Sequence, residues 1–125
     1  MKLLLDTHIL LWVMRDADEL GPAARAMIDR ADAVYVSSVS LWEAAIKSAQ
    51  GKLPLSAAQL EAAATQAGFQ PLPVTWAHAL AVSGLPRLHG DPFDRMLVAQ
   101  AISEPMHLIT HDATLAAYSP LVTVV

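Results

Sequence analysis

Short runs of apolar residues constrain the fold of this chain more than any other sequence feature. Apolar runs of four or five residues without polar alternation are typical of strands that are buried on both faces of a parallel sheet. The first run ends at Asp6, so a polar residue follows it directly. Runs of this kind occur at Lys2–Leu5, residues 33–36, His107–Thr110 and residues 121–125. The sequence therefore predicts an α/β fold.

Helix signals fill the segments between these runs. Pro22 suits the first turn of a helix, Gly51 and Gly68 stop helices, and Ser56 and Asp91 are suited to cap them. Because strands alternate with helices, we expect an α/β sandwich with a mostly parallel sheet. The predicted helices cover residues 7–15, 22–30, 40–50, 57–67, 75–82 and 92–103, with an extended piece near residues 71–73 and a short helix after Asp112.

Length and composition predict a single domain over residues 1–125 and exclude several classes of protein. Hydrophobic residues make up 54% of the 125 residues and charged residues 16%, which argues for a core and against disorder. The absence of cysteine excludes disulfides and thiolate chemistry and is compatible with a cytoplasmic location. Asp6 and His8 interrupt the apolar N-terminus, and no run reaches the roughly 18 residues of a membrane span. We therefore expect a soluble protein with no membrane partner.

Four acidic residues stand out along the chain: Asp6, Glu43, Asp94 and Asp112. Each of them alone is more simply explained by a helix N-terminus, where acidic side chains are favoured. Asp6 and Asp112 follow strands and could cap the helices behind them. Ser40 and Glu43 have the spacing of a capping box, with the glutamate at the third helical position.

Taken together, the four acids predict a divalent-cation site at one edge of the sheet. The carboxyl ends of parallel strands share an edge with the N-termini of the following helices, and ligands bind there. Asp6, Glu43 and Asp112 belong to that edge, whereas topology alone does not fix the position of Asp94. Clustered carboxylates repel one another unless a cation neutralises them, and their oxygens suit Mg²⁺ or Mn²⁺. Such a cation would also offset the net charge of −4, which otherwise disfavours a nucleic-acid binder.

Other residues near the acids have weaker assignments. The hydroxyls of Thr7 and Thr110 could join the same edge. His89 and His111 flank the proposed site and could touch a substrate, although an ordinary structural role is the simpler explanation for each histidine. Lys47 lies four residues after a glutamate, the spacing of a helical ion pair. Helix packing explains the three tryptophans better than base stacking: Trp12, Trp42 and Trp76.

Four segments resemble the VapC-type toxin branch of the PIN-domain ribonucleases: LLLDTHILLW, VSSVSLWEAAIKSAQGKL, DPFDRMLVAQA and LITHD. They follow one another in the family's order, and they span the chain from Leu3 to Asp112. The resemblance implies a three-layer α/β/α sandwich with a mostly parallel central sheet and an acidic pocket at one end of it. It also implies an endoribonuclease that depends on Mg²⁺ or Mn²⁺ and acts as the toxin of a type II toxin–antitoxin pair.

The same resemblance implies roles and partners. It maps the family's four acids onto Asp6, Glu43, Asp94 and Asp112, and the hydroxyl residue before the last acid onto Thr110. One or two cations on these acids would activate water for in-line attack on an RNA phosphodiester, with the glutamate binding metal or steering that water. A VapB-like antitoxin would inhibit the enzyme. A homodimer is also implied, and the apolar stretch at residues 53–60 together with the Ala-rich helices exceeds what so small a core needs.

Two other classes of protein share parts of this pattern. A receiver domain has an acidic pair after its first strand and a late lysine, but Asp6 has no acidic neighbour and no lysine follows Lys52. A phosphatase of the haloacid-dehalogenase type needs a second aspartate two residues after the first, where His8 stands. A partner-binding module without catalysis is the remaining alternative, and RNA that stays intact in the presence of divalent metal would favour it.

Overall fold

Five short strands form one sheet in which every neighbouring pair is parallel, and the computed structural model describes residues 1–125. In chain order the strands are β1 (Lys2–Leu5), β2 (Ala33–Ser37), β3 (Gln70–Leu72), β4 (His107–Thr110) and β5 (Val122–Val124). Across the sheet their order is β3-β2-β1-β4-β5. The predicted parallel sheet is confirmed, and the extended piece that contains Pro71 is a strand at its edge.

Six α-helices and two 3₁₀ helices connect the strands. The α-helices are α1 (Thr7–Met14), α2 (Gly21–Arg30), α3 (Ser38–Ala49), α4 (Ala57–Gln66), α5 (Trp76–Ser83) and α6 (Pro92–Ser103). The 3₁₀ helices cover Asp18–Leu20 and Ala113–Tyr118, so the short helix predicted after Asp112 has 3₁₀ geometry. None of the helices combines the length and the apolar character that crossing a membrane requires.

The sheet lies between two hydrophobic cores because successive residues of each strand point to opposite faces. Leu3 and Leu5 pack in one core, together with residues of α1, α2 and α4. Leu4 packs in the other core with Leu97 of α6 and Leu115 of the second 3₁₀ helix. This arrangement is a three-layer α/β/α sandwich, as the sequence pattern and the family resemblance implied.

Strand β1 is the centre of the sheet and sets the position of the functional edge. It pairs with β2 on one side and with β4 on the other, and Leu5 lies opposite Ile109. The register therefore places Asp6 beside Thr110 just where both strands end. The backbone N–H of Asp6 donates to the carbonyl oxygen of Ile109 at 3.0 Å, which extends the pairing by one residue.

Helix α3 begins two residues earlier than predicted, so the capping box expected at Ser40 and Glu43 is wrong. β2 runs directly into the helix, and the Ser37 hydroxyl caps it by accepting a hydrogen bond from the Val39 N–H at 3.0 Å. Ser40 is fully buried instead, with its hydroxyl 2.9 Å from that of Thr7. Glu43 consequently lies in the second turn of α3, where it has no capping role.

Two expectations about apolar residues are corrected by the packing. Trp76 is 90% exposed, so helix packing does not account for it, whereas Trp42 is 62% exposed but packs edge-on against Phe93 of α6 with ring centroids 5.0 Å apart. The apolar stretch at residues 53–60 is used inside the protomer: Leu60 is fully buried, and Leu53 and Leu55 pack against the first core. That stretch is therefore no evidence for a dimer.

We expect Leu108→Ala to lower the free energy of unfolding by about 2–5 kcal/mol, because it removes a fully buried side chain from β4 and leaves a cavity. The matched control is Leu88→Ala, the same chemical change at an exposed loop position, which should stay within about 0.5 kcal/mol. Urea unfolding followed by circular dichroism measures both. Equal losses for the two variants would contradict the assignment of Leu108 to the core.

Candidate active site

Asp6 lies at the end of the central strand and is almost completely buried, with 3% of its surface exposed. It is the N-cap of α1, and its Oδ1 accepts a long hydrogen bond of 3.4 Å from the His8 N–H. Its Oδ2 accepts a hydrogen bond from the Thr110 hydroxyl at 2.5 Å. Burial nevertheless raises the pKa of Asp6, although the Thr110 hydrogen bond opposes that shift. The buried carboxylate is thus expensive to ionise without a further positive charge.

Glu43 is the second buried acid of the site, and one of its oxygens has no partner. Its Oε2 accepts a hydrogen bond from the Lys47 ammonium group at 2.7 Å, so the predicted i,i+4 ion pair is confirmed. Its Oε1 is buried and accepts no hydrogen bond from the protein. A buried carboxylate oxygen without a partner costs free energy and needs a ligand to offset that cost.

Asp94 is the third residue of α6 and lies close to the other acids. Asp91 caps this helix, since its Oδ1 accepts hydrogen bonds from the N–H groups of Phe93 and Asp94 at 2.8 and 3.2 Å. Burial, and then the negative charges of Asp6 and Asp91, raise the pKa of Asp94 to about 7. Glu43 adds to the same shift. Asp94, which topology alone could not assign, therefore belongs to the acidic edge.

Asp112 follows β4 and has a different environment from the other three acids. Its Oδ1 accepts hydrogen bonds from the Thr114 N–H at 3.0 Å and from the Thr114 hydroxyl at 2.7 Å. Its Oδ2 lies 2.9 Å from Nε2 of His89. The Thr114 hydroxyl is the main reason that the pKa of Asp112 lies below its usual value. Asp112 is therefore an ionised carboxylate held in one orientation.

Three of these acids line a small pocket of about 230 Å³ at the carboxyl edge of the sheet. Two histidines and a tryptophan complete its walls, and the six lining residues are Asp6, His8, Trp12, Asp94, His111 and Asp112. Glu43 lies outside this lining, but its charge acts on both Asp6 and Asp94. The structure thus brings three of the four acids that the sequence singled out into one pocket and places Glu43 near enough to influence two of them.

The donor set fits a hard divalent cation. Ligand atoms of His89, Asp94 and Asp112 lie within 4.8 Å of one another, which is close enough for one ion. The unpartnered Oε1 of Glu43 and the raised pKa of Asp94 both indicate missing positive charge. Carboxylate oxygens are the ligands that Mg²⁺ and Mn²⁺ prefer.

Of the supporting residues named from the sequence, His111 lines this pocket and Thr110 donates to Asp6, whereas Thr7 does neither. Thr7 is buried, and its hydroxyl is hydrogen-bonded to that of Ser40, which links α1 to α3. Its hydroxyl is therefore not free to contact the acids. His111 packs edge-on against Trp12, and its Nδ1 donates to the Val125 main-chain oxygen at 2.7 Å.

Sequence reasoning misses the contacts of two residues. The prediction of Ser40 as a helix cap overlooks its contact with Thr7, because that partner is remote in sequence. The sequence places His89 beside the proposed site but gives no signal of its contact with Asp112, which is also remote in sequence.

Comparison with known proteins identifies the family. The PIN domain profile matches residues 3–119 of the chain. The chain belongs to the PIN-domain family. Ribonuclease VapC22 of Mycobacterium tuberculosis is 31% identical over 121 residues, which cover 92% of this chain and 90% of that protein. The resemblance of this PIN domain to the VapC-type branch is confirmed.

Solved structures share the fold of this PIN domain at low sequence identity. A chain of VapBC2 from Rickettsia felis, bound to a DNA fragment from its promoter, superposes with a TM-score of 0.72 and 15% identity, over 100% of this chain and 98% of that chain. A chain of a toxin–antitoxin complex from Klebsiella pneumoniae gives a TM-score of 0.68 and 18% identity, over 97% and 95% of the two chains.

In metal-free buffer, Asp94→Asn should raise the free energy of unfolding at neutral pH by about 1–2 kcal/mol. This value is smaller than the full pKa shift would give, because solvent screens the charge of a partly exposed side chain. The melting temperature should rise by at least about 3 °C. The sign follows from the raised pKa: between pH 4 and 7 the folded state holds a proton that the unfolded state has lost, so this group makes the wild type less stable as pH rises. The advantage of the variant should therefore grow from pH 5 to pH 7 and then level off.

Asp91→Asn is the control for this measurement, because asparagine caps a helix about as well as aspartate. It should leave the melting temperature nearly unchanged, with only a small gain from its weaker charge effect on Asp94. Thermal melts of both variants and the wild type between pH 5 and pH 8 provide the comparison. A stability gain that does not depend on pH would argue against a carboxylate cluster around Asp94.

Proposed function

We propose that this PIN domain is a metal-dependent endoribonuclease that acts in the cytoplasm as the toxin of a toxin–antitoxin pair. Its chemistry would be hydrolysis of RNA phosphodiester bonds by water with the help of Mg²⁺ or Mn²⁺. The observation that carries the proposal is the convergence of three carboxylates on one pocket, with a fourth acid, Glu43, close enough to act on two of them and bearing an unpartnered buried oxygen. The match to a relative named a ribonuclease supports the same reaction.

In this proposal Asp6, Asp94 and Asp112 hold the cation, and Glu43 either adds a ligand or orients the attacking water. A bound divalent cation would offset the negative charge of the phosphodiester and lower the pKa of water near it. A covalent enzyme intermediate is not required. The net charge of −4 is no obstacle, because the local field at the pocket matters more than the total charge.

The chain's own residues prepare the carboxylates for this task. Thr110 donates to Oδ2 of Asp6 and leaves Oδ1 with only the long contact to His8. Thr114 occupies Oδ1 of Asp112 with two hydrogen bonds, so the more available oxygen is Oδ2. The raised pKa of Asp94 implies that metal binding near neutral pH releases a proton from it.

The reaction can be tested with purified protein, a mixture of structured RNAs, and Mg²⁺ or Mn²⁺. We expect cleavage that stops when EDTA is added and returns when metal is restored in excess. Cleavage that persists in EDTA would contradict the proposed mechanism. An intact RNA pool in every metal tested, together with tight binding of a partner protein, would favour the binding-module alternative.

Asp94→Asn should reduce this cleavage to background, because it replaces a charged ligand by a neutral oxygen. Asp91→Asn should keep most of the activity, since Asp91 serves as a cap and its hydrogen bonds can be made by asparagine. Both variants should be assayed with Mn²⁺ after their folding has been verified by thermal melts. If the Asp91 variant is inactive and the Asp94 variant active, the third acid has been assigned to the wrong end of the DPFD segment.

We further propose an antitoxin of the VapB type as the inhibitory partner. A cleft of about 400 Å³ lies between α1 and the segment at residues 52–55, and it shares His8 and Trp12 with the acidic pocket. Its walls are apolar, and Arg15, Lys47 and Lys52 line it as well. An antitoxin segment with apolar and acidic side chains would fit this chemistry and would cover the entrance to the pocket. Relatives of the same fold include complexes that are named toxin–antitoxin.

A homodimer is the second proposed assembly, and exposed apolar residues support it. Trp76 and Leu80 lie one turn apart on α5, and Leu80 is 73% exposed. Trp42 and Val74 line a neighbouring apolar cavity of about 570 Å³. Large exposed apolar side chains that cluster on one helix are typical of protein interfaces.

The double variant Trp76→Ala with Leu80→Ala should shift the protein from dimer toward monomer, because it removes the largest exposed side chains of α5. Leu88→Ala, at an exposed loop position, should leave the dimer intact. Sedimentation velocity at tens of micromolar, roughly the useful range for such an association, distinguishes the two states. A wild-type protein that sediments only as a monomer would count against the dimer.

A further inference from the structure

His89 lies beside two of the proposed metal ligands, although the four-acid pattern does not include it. Its Nε2 is 2.9 Å from Oδ2 of Asp112 and 3.7 Å from Oδ2 of Asp94. The three side chains could therefore be taken for a mixed nitrogen and oxygen ligand set, as transition metals with imidazole ligands often have. Whether His89 can be a ligand depends on which of its nitrogens carries the proton.

A hydrogen bond at the other nitrogen answers that question. The backbone N–H of Asp91 donates to Nδ1 of His89 at 3.0 Å. A backbone amide can only donate, so Nδ1 must present its lone pair, and the proton of the neutral imidazole is on Nε2. Nε2 therefore has no free lone pair for a cation. Metal-bound histidines usually show the opposite arrangement, in which the second nitrogen donates a hydrogen bond.

The Nε2–H group instead completes the hydrogen bonding of Asp112. Thr114 supplies two donors to Oδ1 of this carboxylate, and His89 supplies one donor to Oδ2. Three hydrogen bonds leave the rotation of the carboxylate little freedom. The remaining lone pair of Oδ2 is then held in one direction.

Asp91 links this contact to the rest of the site. Its carboxylate caps α6 and thereby holds the turn that carries Asp94, while its N–H holds His89. One residue thus orients two of the proposed ligands, one through the helix and one through the histidine.

We propose that His89 is a positioning residue, which acts as an N–H donor to Asp112 and is not a metal ligand, so that the cation site has only oxygen donors. This inference rests on the proposed function for the presence of a cation, whereas the tautomer of His89 can be tested without one. An all-oxygen site favours Mg²⁺ and Mn²⁺ over metals that bind imidazole tightly.

The tautomer is measured on the metal-free protein by long-range ¹⁵N–¹H NMR of the histidine rings, at a pH at which the imidazoles are neutral. We expect His89 to show the Nε2–H form. His111 is an internal contrast, because its Nδ1 donates to a main-chain oxygen and it should show the Nδ1–H form. An Nδ1–H form at His89 would overturn the proposal, whatever the protein does with RNA.

Metal titrations test the positioning role separately. His89→Leu removes the donor and should weaken the binding of Mg²⁺ and Mn²⁺ alike, by about 10–100-fold in calorimetry. His89→Gln keeps an N–H donor at similar reach and should restore most of the affinity. Loss of Mn²⁺ affinity with unchanged Mg²⁺ affinity would instead mark His89 as a nitrogen ligand.

Pulsed EPR of the Mn²⁺-bound wild type gives the final check, since directly coordinated imidazole nitrogen couples to the electron spin. We expect no such coupling from His89. A ¹⁴N coupling that disappears in the Gln variant would refute the proposal. If the wild type binds neither cation, the proposed metal chemistry fails, and the tautomer measurement still decides whether His89 is a donor.

Discussion

The parallel pairing of β1 with β4 is the constraint on which the rest of this structure depends. It places Leu5 opposite Ile109, and so it brings Asp6 and Thr110 to the same level of the sheet although 104 positions separate them in sequence. The two strands are buried on both faces, so a slip of one residue would move apolar side chains to the wrong core. Packing of both cores therefore holds the hydrogen bond between Thr110 and Asp6 in register.

The acidic edge costs stability that the two cores must supply. Burial opposes the ionisation of Asp6 and Asp94, and their mutual repulsion adds to that cost. Only some of the charge is compensated inside the chain, where Lys47 pairs with Glu43 and the Thr110 hydroxyl donates to Asp6. A protein retains an arrangement of this kind when the uncompensated charge serves binding or catalysis.

The segment from His89 to Asp94 shows how one loop can organise several functional groups. Asp91 does not line the pocket, yet its carboxylate accepts a hydrogen bond from the Asp94 N–H and its own N–H donates to His89. Arg95 is directed away from the acids, where it donates to the Pro86 carbonyl and to the Tyr118 hydroxyl. Asp94 and Arg95 are adjacent in α6, but their side chains point in different directions, so the guanidinium group does not neutralise the acidic pocket.

Local sequence patterns predict the α/β class, most helix and strand positions, and the four acids that are candidates for the site. These features depend on local patterns: apolar runs of strand length, prolines and caps at helix starts, and acids at strand ends. The start of α3 was predicted wrongly because Ser37, Ser38 and Ser40 are all suitable caps. Ser37 is the cap in the structure because β2 ends there and runs directly into the helix.

Contacts between segments that are remote in sequence could be seen only in the tertiary structure. The contact of His89 with Asp112, the pairing of Thr7 with Ser40, and the exposure of Trp76 depend on how remote segments pack. The raised pKa of Asp94 could likewise not be predicted from the sequence, because a pKa of about 7 arises from burial and from the charges of Asp6, Asp91 and Glu43. Local sequence specifies the chemical type of each group, whereas the distances between groups are set by the sheet register and by the two cores.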